Sequence, residues 1–322
     1  MEKARVVQFF LWVERYDEGD SRTHTTGLPM IGNKQALDLY KLSAAKFLAY
    51  WELPKSAISM VVRGMALRSA APRALKKMRA IELVRRLQRY KDAYSTFPHM
   101  TTPYVYPVGG FGGTLSKATT RVVEANGGAC CLDTSVDDLI TNADGSCGGV
   151  SVRGVDIEAD CVVAAPEVVP QHAAPGYTMV RLYAVLAHPP NLCKEASSCQ
   201  VILPGEHCGR THDIYLTSFS SGHGVVPKGK WLAVATARVE GETDGLSALA
   251  VAKRELASVL PLLKPARKML AEVVPHLEAD GAPERLLVLD SNDETSYLDS
   301  VEGEVTEVFE RITGEPPTLV RR

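Results

Sequence analysis

Thr102-Pro103-Tyr104-Val105-Tyr106-Pro107-Val108-Gly109-Gly110-Phe111-Gly112-Gly113 divides the sequence into two kinds of pattern. Residues 103–107 form a short β-prone run closed by proline, and residues 109–113 are a glycine-rich turn leading into a helical stretch through Ala125. Before this stretch, apolar residues recur at helical spacing. After it, short apolar runs alternate with tight turns. The change predicts an α/β (α+β) fold of two domains: a helical domain over residues 1–97 and a mixed-sheet domain over 98–322.

Upstream, Val6, Phe9, Phe10 and Val13 sit at i, i+3, i+4, i+7, the apolar stripe of one helix. Residues 17–33 are rich in Gly, Asp, Ser and Thr and read as a loop. Leu37, Tyr40, Ala44, Phe47, Leu48 and Trp51 continue the helical period until Pro54, which is placed to open a third helix carrying Ile58, Val61, Val62 and Met65. After Pro72 a basic helix carries Leu83, Leu87 and Tyr90. Downstream, strands are expected near 129–132, 136–140, 149–155, 161–165, 179–186, 199–203, 213–218, 230–236 and 285–289. Helices are expected over 246–263, ending at Pro265, and over 304–312.

The chain has 322 residues, 45% hydrophobic and 23% charged, with a formal charge of -2. That composition suits a globular protein of one or two domains and gives no global reason to expect nucleic acid. No apolar run reaches the roughly 18–20 residues of a membrane span. The first residues are too short and too charged for a secretion signal. Seven cysteines at irregular spacing then read as reduced thiols. Charge is segregated. Residues 55–91 hold eleven Lys/Arg and one acid, whereas 276–322 hold twelve acids and four basic residues, so the two ends suit different partners or simply solvated faces.

Catalytic constellations are weak. Backbone N–H groups of 109–113 lie before a helix, where anions bind, but the spacing is not G-x-G-x-x-G and no G-K-[ST] follows, so a tight turn is the preferred reading. Cys199, His207, Cys208 and His212 fit no established zinc spacing, and no metal site is expected. Ser220-Ser221-Gly222-His223-Gly224 pairs serine with histidine but lacks a nucleophile elbow, and reads as a hairpin or loop. A binding protein is favoured over an enzyme.

Several segments occur in a telling order: 102–107, then Gly110-Phe111-Gly112, Arg121, Gly127-Gly128, the run 132–140, Ser198-Cys199-Gln200-Val201-Ile202-Leu203-Pro204, Asp213-Ile214-Tyr215 and Phe309-Glu310-Arg311-Ile312-Thr313-Gly314. This set resembles the Rab GDP-dissociation inhibitor and Rab escort protein family, from the first helix to about Gly314. The resemblance implies a flavoprotein-like two-domain fold that uses no flavin. It also implies a non-enzymatic regulator of vesicle-mediated transport, cytoplasmic and transiently peripheral to membranes, that binds prenylated Rab GTPases in the GDP form.

Site residues carry over position by position. A Rab platform within 103–131 would include Phe111, Gly113, Thr114, Arg121 and Cys131. Arg121 matches the family arginine. The family acid falls at Gly113 or Thr114, so its charge is lost, and the family methionine falls at Cys131. The family's mobile loop corresponds to 94–101 and includes Tyr94, Ser95, Thr96 and Phe97. The prenyl pocket would draw on Val6, Phe9, Phe10, Val13, Phe47, Leu48, Trp51, Ile58, Val61, Val62 and Met65. A twenty-carbon isoprenoid left in water costs well over about 10 kcal/mol at ~0.8 kcal/mol per CH₂, so a carrier needs a comparable apolar sleeve. The same stripes could equally pack on one another.

Family members begin with a strand–turn–helix unit bearing a G-x-G motif, which this sequence is expected to lack. That leaves strand edges open and admits a truncated chain, a partner chain that supplies the unit, or a degenerate scaffold subunit that no longer binds Rab. It also removes the residues by which a flavin oxidoreductase would hold its pyrophosphate.

Overall fold

The computed structural model describes residues 2–25, 36–97, 99–100, 102–193, 196–295 and 297–318. The chain falls into two compact units, Met1–Val105 and Tyr106–Arg322, so the division lies inside the stretch that the sequence singles out.

The first unit is helical. α1 (Glu2–Arg15) buries Phe9, Trp12 and Val13, so the buried stripe runs through Trp12 and leaves Phe10 at its margin. α2 covers only Ala44–Tyr50, although the apolar period begins at Leu37. Leu37 and Leu39 reach the core from non-helical backbone. Ser43 then starts the helix by accepting from the Lys46 N–H at 3.3 Å. α3 (Lys55–Ser59) opens behind Pro54 and widens into a π turn over Met60–Met65. α4 (Pro72–Lys77) and the long α5 (Ala80–Thr96) complete the unit.

Its core is aromatic. Phe9, Trp12, Phe47 and Trp51 are fully buried. Their ring centroids lie 5.5 Å (Trp12–Phe47), 5.6 Å (Trp12–Trp51), 5.7 Å (Phe9–Trp51) and 5.8 Å (Phe9–Phe47) apart in tilted or edge-on contacts. Each such pair contributes about 0.5–1.5 kcal/mol beyond its buried area.

The second unit opens with a π turn, Phe111–Leu115, and α6 (Ser116–Ala125). β1 (Asp138–Thr141), β2 (Cys147–Val152) and β3 (Val155–Glu158) form an antiparallel meander. β4 (Val162–Ala164) pairs in parallel with β10 (Leu286–Val288). The main sheet has the order β6-β7-β8-β5-β9, all antiparallel, from β5 (Ala173–Leu186), β6 (Ser198–Leu203), β7 (Ile214–Ser220), β8 (Trp231–Arg238) and β9 (Ala266–Ala279). α7 (Ala248–Glu255) and the turn Leu260–Leu263 cover one sheet face. Val251, Leu256, Val259 and Leu263 share a core with Val180, Leu182, Ala184 and Leu186, and with Ala233, Ala235 and Ala237. The alternate alanines of β8 leave room for the helix. α8 (Asp299–Thr313) ends at Gly314 in the left-handed conformation.

Five expectations change. The helix expected over 246–263 is helical only over Ala248–Glu255, with a separate turn at Leu260–Leu263. Residues 103–107 form no strand, because two prolines remove ladder donors. Residues 129–132 form none either, and Leu132 is 80% exposed. β9 was not anticipated, because Pro275 interrupts its pattern; as an edge strand it tolerates the proline while pairing with β5 along its length. The thiols are not all reduced: Cys193 and Cys199 form a disulfide.

Candidate functional site

An apolar groove of about 240 Å³ opens on the helical unit where α1, the π turn and α5 meet. Phe10, Val13, Met65, Leu87, Tyr90 and Tyr94 line it, with Glu14, Gln88, Lys91 and Ser95. α5 supplies the wall because Leu87, Tyr90 and Tyr94 follow one another at helical spacing. Gln88 has no unmet donor at the floor: its Nε2 donates to the carbonyls of Val13 (2.9 Å) and Tyr16 (2.6 Å), stitching α5 to α1. Lys91 and Glu14 form a 2.7 Å ion pair at the rim. The Tyr104 ring packs edge-on against Tyr90, and its hydroxyl donates to the Gly64 carbonyl at 2.6 Å. An apolar wall with charges only at its edge suits a hydrocarbon chain.

This geometry separates the pocket residues expected from sequence. Phe10, Val13 and Met65 reach the groove. Phe9, Phe47, Leu48, Trp51, Val61 and Val62 lie beneath it in the closed core, and Val6 and Ile58 are half-buried against that core. The sequence marks Leu87 and Tyr90 only as a helix stripe, and their wall position depends on how α5 rotates against α1. Of the expected loop, Tyr94, Ser95 and Thr96 are the last turn of α5, where the Thr96 hydroxyl donates to the Asp92 carbonyl at 2.7 Å. Phe97 follows the helix and is 55% exposed. Pro98 and Thr101 of that loop, like residues 26–33 of the earlier one, lie outside the described residues.

The expected platform residues follow one another along the start of the second unit. Gly110, at φ 76° and ψ 171°, adopts a conformation open only to glycine, and turns the chain into the π turn that carries Phe111, Gly113 and Thr114. The Thr114 hydroxyl donates to the Val108 carbonyl, and the Gly109 N–H donates to the His223 backbone carbonyl at 2.6 Å. Tyr106 packs on Phe219 (4.8 Å between centroids) and Phe111 (6.3 Å). The glycine-rich segment is thus a tight turn. α6, bearing Arg121, buries none of its ten residues. Val122 and Val123 stand exposed on it, and Leu115 is exposed at the end of the π turn before it. The Gly128 N–H closes the helix on the Val123 carbonyl at 2.9 Å, where a Cβ would fall 2.5 Å from Val123 Cγ1. Cys131 lies exposed beyond it.

The other sequence candidates resolve structurally. Ser221–His223 is a single turn joining β7 to β8, and the Ser220 hydroxyl accepts from Gly222 at 3.3 Å. Among the described residues no cluster of His, Cys, Asp or Glu is arranged to hold a metal. His212 instead packs with Glu240, which is held below the usual carboxylate range: burial opposes this, and hydrogen bonds from the His212 and Thr211 backbone outweigh it. Among the described residues no helix is long and apolar enough to cross a membrane.

A family model described as GDP dissociation inhibitor matches residues 1–322. The chain is 27% identical over 325 residues to the Rab GDP-dissociation inhibitor of Saccharomyces cerevisiae, covering 100% of this chain and 67% of that protein. It is 28% identical to a guanosine nucleotide diphosphate dissociation inhibitor of Arabidopsis thaliana, covering 98% of this chain and 66% of that one. The crystal structure of the Rab GDI from Plasmodium falciparum superimposes with a TM-score of 0.83 at 23% identity, covering 99% of this chain and 68% of the other. The chain therefore spans about two thirds of the length of the relatives it matches. Nothing in these comparisons supports a partner chain that supplies further strands.

Proposed function

Because the chain belongs to the GDP dissociation inhibitor family, we propose that it binds prenylated Rab GTPases in their GDP form and regulates their cycling on and off membranes in vesicle transport. The observation that carries this reading is the α1–α5 groove, an apolar concavity at the surface of the unit where the family resemblance puts isoprenoid binding. The isoprenoid would lie against Phe10, Val13, Met65, Leu87, Tyr90 and Tyr94. The aromatic core beneath would serve as a rigid floor. The GTPase would dock on the π turn and α6 around Phe111, Thr114 and Arg121. An exposed helix with Val122 and Val123 on its surface, preceded by the exposed Leu115, gains apolar burial from such a partner. The work is sequestration, with no bond made or broken, in the cytoplasm and at the membrane surface.

The test is a pull-down of the full chain with GDP-loaded Rab, geranylgeranylated and unmodified. Capture of the prenylated form, weakened by Tyr94→Asp in the groove and by Arg121→Glu on α6, supports the reading. No capture at micromolar concentration overturns it in favour of a scaffold that has lost the GTPase.

A further inference from the structure

One bridge stands out among the seven cysteines. Cys193 and Cys199 are joined, while Cys130, Cys131, Cys147, Cys161 and Cys208 are free thiols, and Cys130 and Cys131 are exposed. We infer that the Cys193–Cys199 pair is a thiol–disulfide exchange site whose redox state sets the order of the glycine-rich turn on which the GTPase would dock.

Its place in the sheet carries this. Cys199 lies in β6, the edge strand of the main sheet, opposite Ser218 of β7. The bridge ties it to the turn at residues 190–193, where the Cys193 N–H donates to the Pro190 carbonyl at 2.8 Å. Just before β6, the Ser197 carbonyl accepts from the Ser220 N–H at 2.7 Å, which extends the ladder to the end of β7. The residues beside Ser220 hold the docking turn. Phe219 packs on Tyr106 and on His223, at 4.8 and 5.4 Å between centroids, and the His223 carbonyl accepts from the Gly109 N–H at 2.6 Å. Gly224 lies so close that a Cβ there would sit 3.4 Å from the Gly109 nitrogen. With the bridge closed, the segment that bears Ser197 is pinned at both ends. With it open, this edge frays and the support behind Phe219 and His223 loosens.

The open state has a partner waiting. The Ser218 hydroxyl is buried without a hydrogen-bond partner, and residues opposite each other in a ladder present their side chains on one face. A reduced Cys199 gains an S–H that can donate to that hydroxyl, whereas the disulfide sulfur has no proton to give. The exposed free thiols on the same unit suit a reducing environment, in which a disulfide that forms is usually a sensor rather than a staple. Cys193 is buried and Cys199 half-buried, so a reductant enters at Cys199. A glutathione-class thiolate attacks that sulfur, forming a mixed disulfide and releasing the Cys193 thiolate. A second thiolate attacks the mixed disulfide and departs as the oxidised dimer, releasing the Cys199 thiolate. The two protons given up by the reductant end on Cys193 and Cys199.

The test uses the full chain in reduced or oxidised glutathione with no GTPase, so it stands apart from the Rab reading, on which only the turn's docking role rests. After unfolding, thiol titration should count five in the oxidised chain and seven in the reduced one, with mass spectrometry placing the bridge between Cys193 and Cys199. Amide hydrogen exchange across residues 107–115 should rise by about threefold or more on reduction and fall back on reoxidation. Cys193→Ser should exchange fast in both buffers, and Cys208→Ser should follow the unsubstituted chain. Circular dichroism checks each variant, and Cys199→Ser replaces the first if it misfolds. Seven thiols under oxidising conditions, a bridge between other cysteines, or exchange at 107–115 that ignores the redox state overturns the inference.

Discussion

The two units solve the same packing problem with opposite materials. Residues 1–105 carry twice as many cations as acids and bury four large aromatic rings around α1 and α2. Residues 106–322 hold eighteen Lys/Arg against twenty-nine Asp/Glu. Their main sheet packs under α7 with alanines and aliphatic residues. The helical unit is short and must gain much burial from each residue, which Phe and Trp provide. The sheet unit has a long paired surface, so small residues that let a helix come close serve it better. The difference also bears on the proposed roles. In the proposed reading, the aromatic-floored unit takes the lipid chain and the larger acidic unit takes the protein partner.

The sharpest way to break the contrast is to hollow the aromatic core. Phe47→Ala should cost the helical unit about 3–5 kcal/mol, read from the denaturant dependence of Trp12 and Trp51 emission. A loss below about 1 kcal/mol would show that the rings do not act as one block.

The counterpart in the sheet unit is a buried ion cluster. Glu255 is 3% exposed and accepts from Arg210 and from Arg254 at 2.9 Å, while the Arg210 guanidinium also donates to the Arg238 carbonyl at 2.5 Å. Burial pushes the Glu255 carboxyl up, but the two arginines outweigh it and hold it below the usual range. Glu255→Ala should therefore destabilise the unit by about 3 kcal/mol, because the buried Arg210 loses its nearest carboxylate and keeps only the more distant Glu240 at 3.7 Å. The same depressed pKa sets the sign with pH. The contribution is present above the unfolded carboxylate pKa and is lost as pH falls through the folded one. A Glu255→Ala variant whose stability loss does not shrink in acid would contradict this assignment.

A smaller effect distinguishes the two packing styles. Ala235→Leu on β8 should cost about 1–3 kcal/mol by overpacking beneath α7. Ile58→Leu at the margin of the aromatic core should cost less than about 1.5 kcal/mol. Chemical denaturation of both variants settles the order.

The smallest effect concerns the surface. Arg85 and the Tyr40 hydroxyl hold the Glu18 carboxyl down to about 2, so carboxyl NMR titration should find it ionised well into acid. Arg85→Ala should return it toward 4.5 while changing stability by no more than about 1 kcal/mol.

Much of the architecture was legible because periodicity reports burial. The i, i+3, i+4 recurrences of α1, α3 and α5 and the short alternating runs of β5, β7 and β8 each mark one wet and one dry face. The exceptions have local causes. Leu37 and Leu39 keep a helical spacing while packing from a loop, and β9 hides behind Pro275 until its edge position is known. Trp12 escaped notice because a stripe through Val6 and Phe10 fits the helix almost as well as one through Trp12 and Tyr16.

The order of segments from Thr102 to Gly314, together with the family match, determined which kind of protein this is, since ordered motifs survive even at 27% identity. The apolar stripes likewise determined that the first hundred residues fold as helices. Only the tertiary structure decided which of those apolar residues are floor and which are wall. Phe9 and Phe10 are adjacent, chemically identical and read alike, yet one closes the core and the other faces the groove. The reason is rotational: a 3.6-residue turn sets neighbouring side chains about 100° apart, and the packing of α1 against α2 and α5 alone selects which of them points inward.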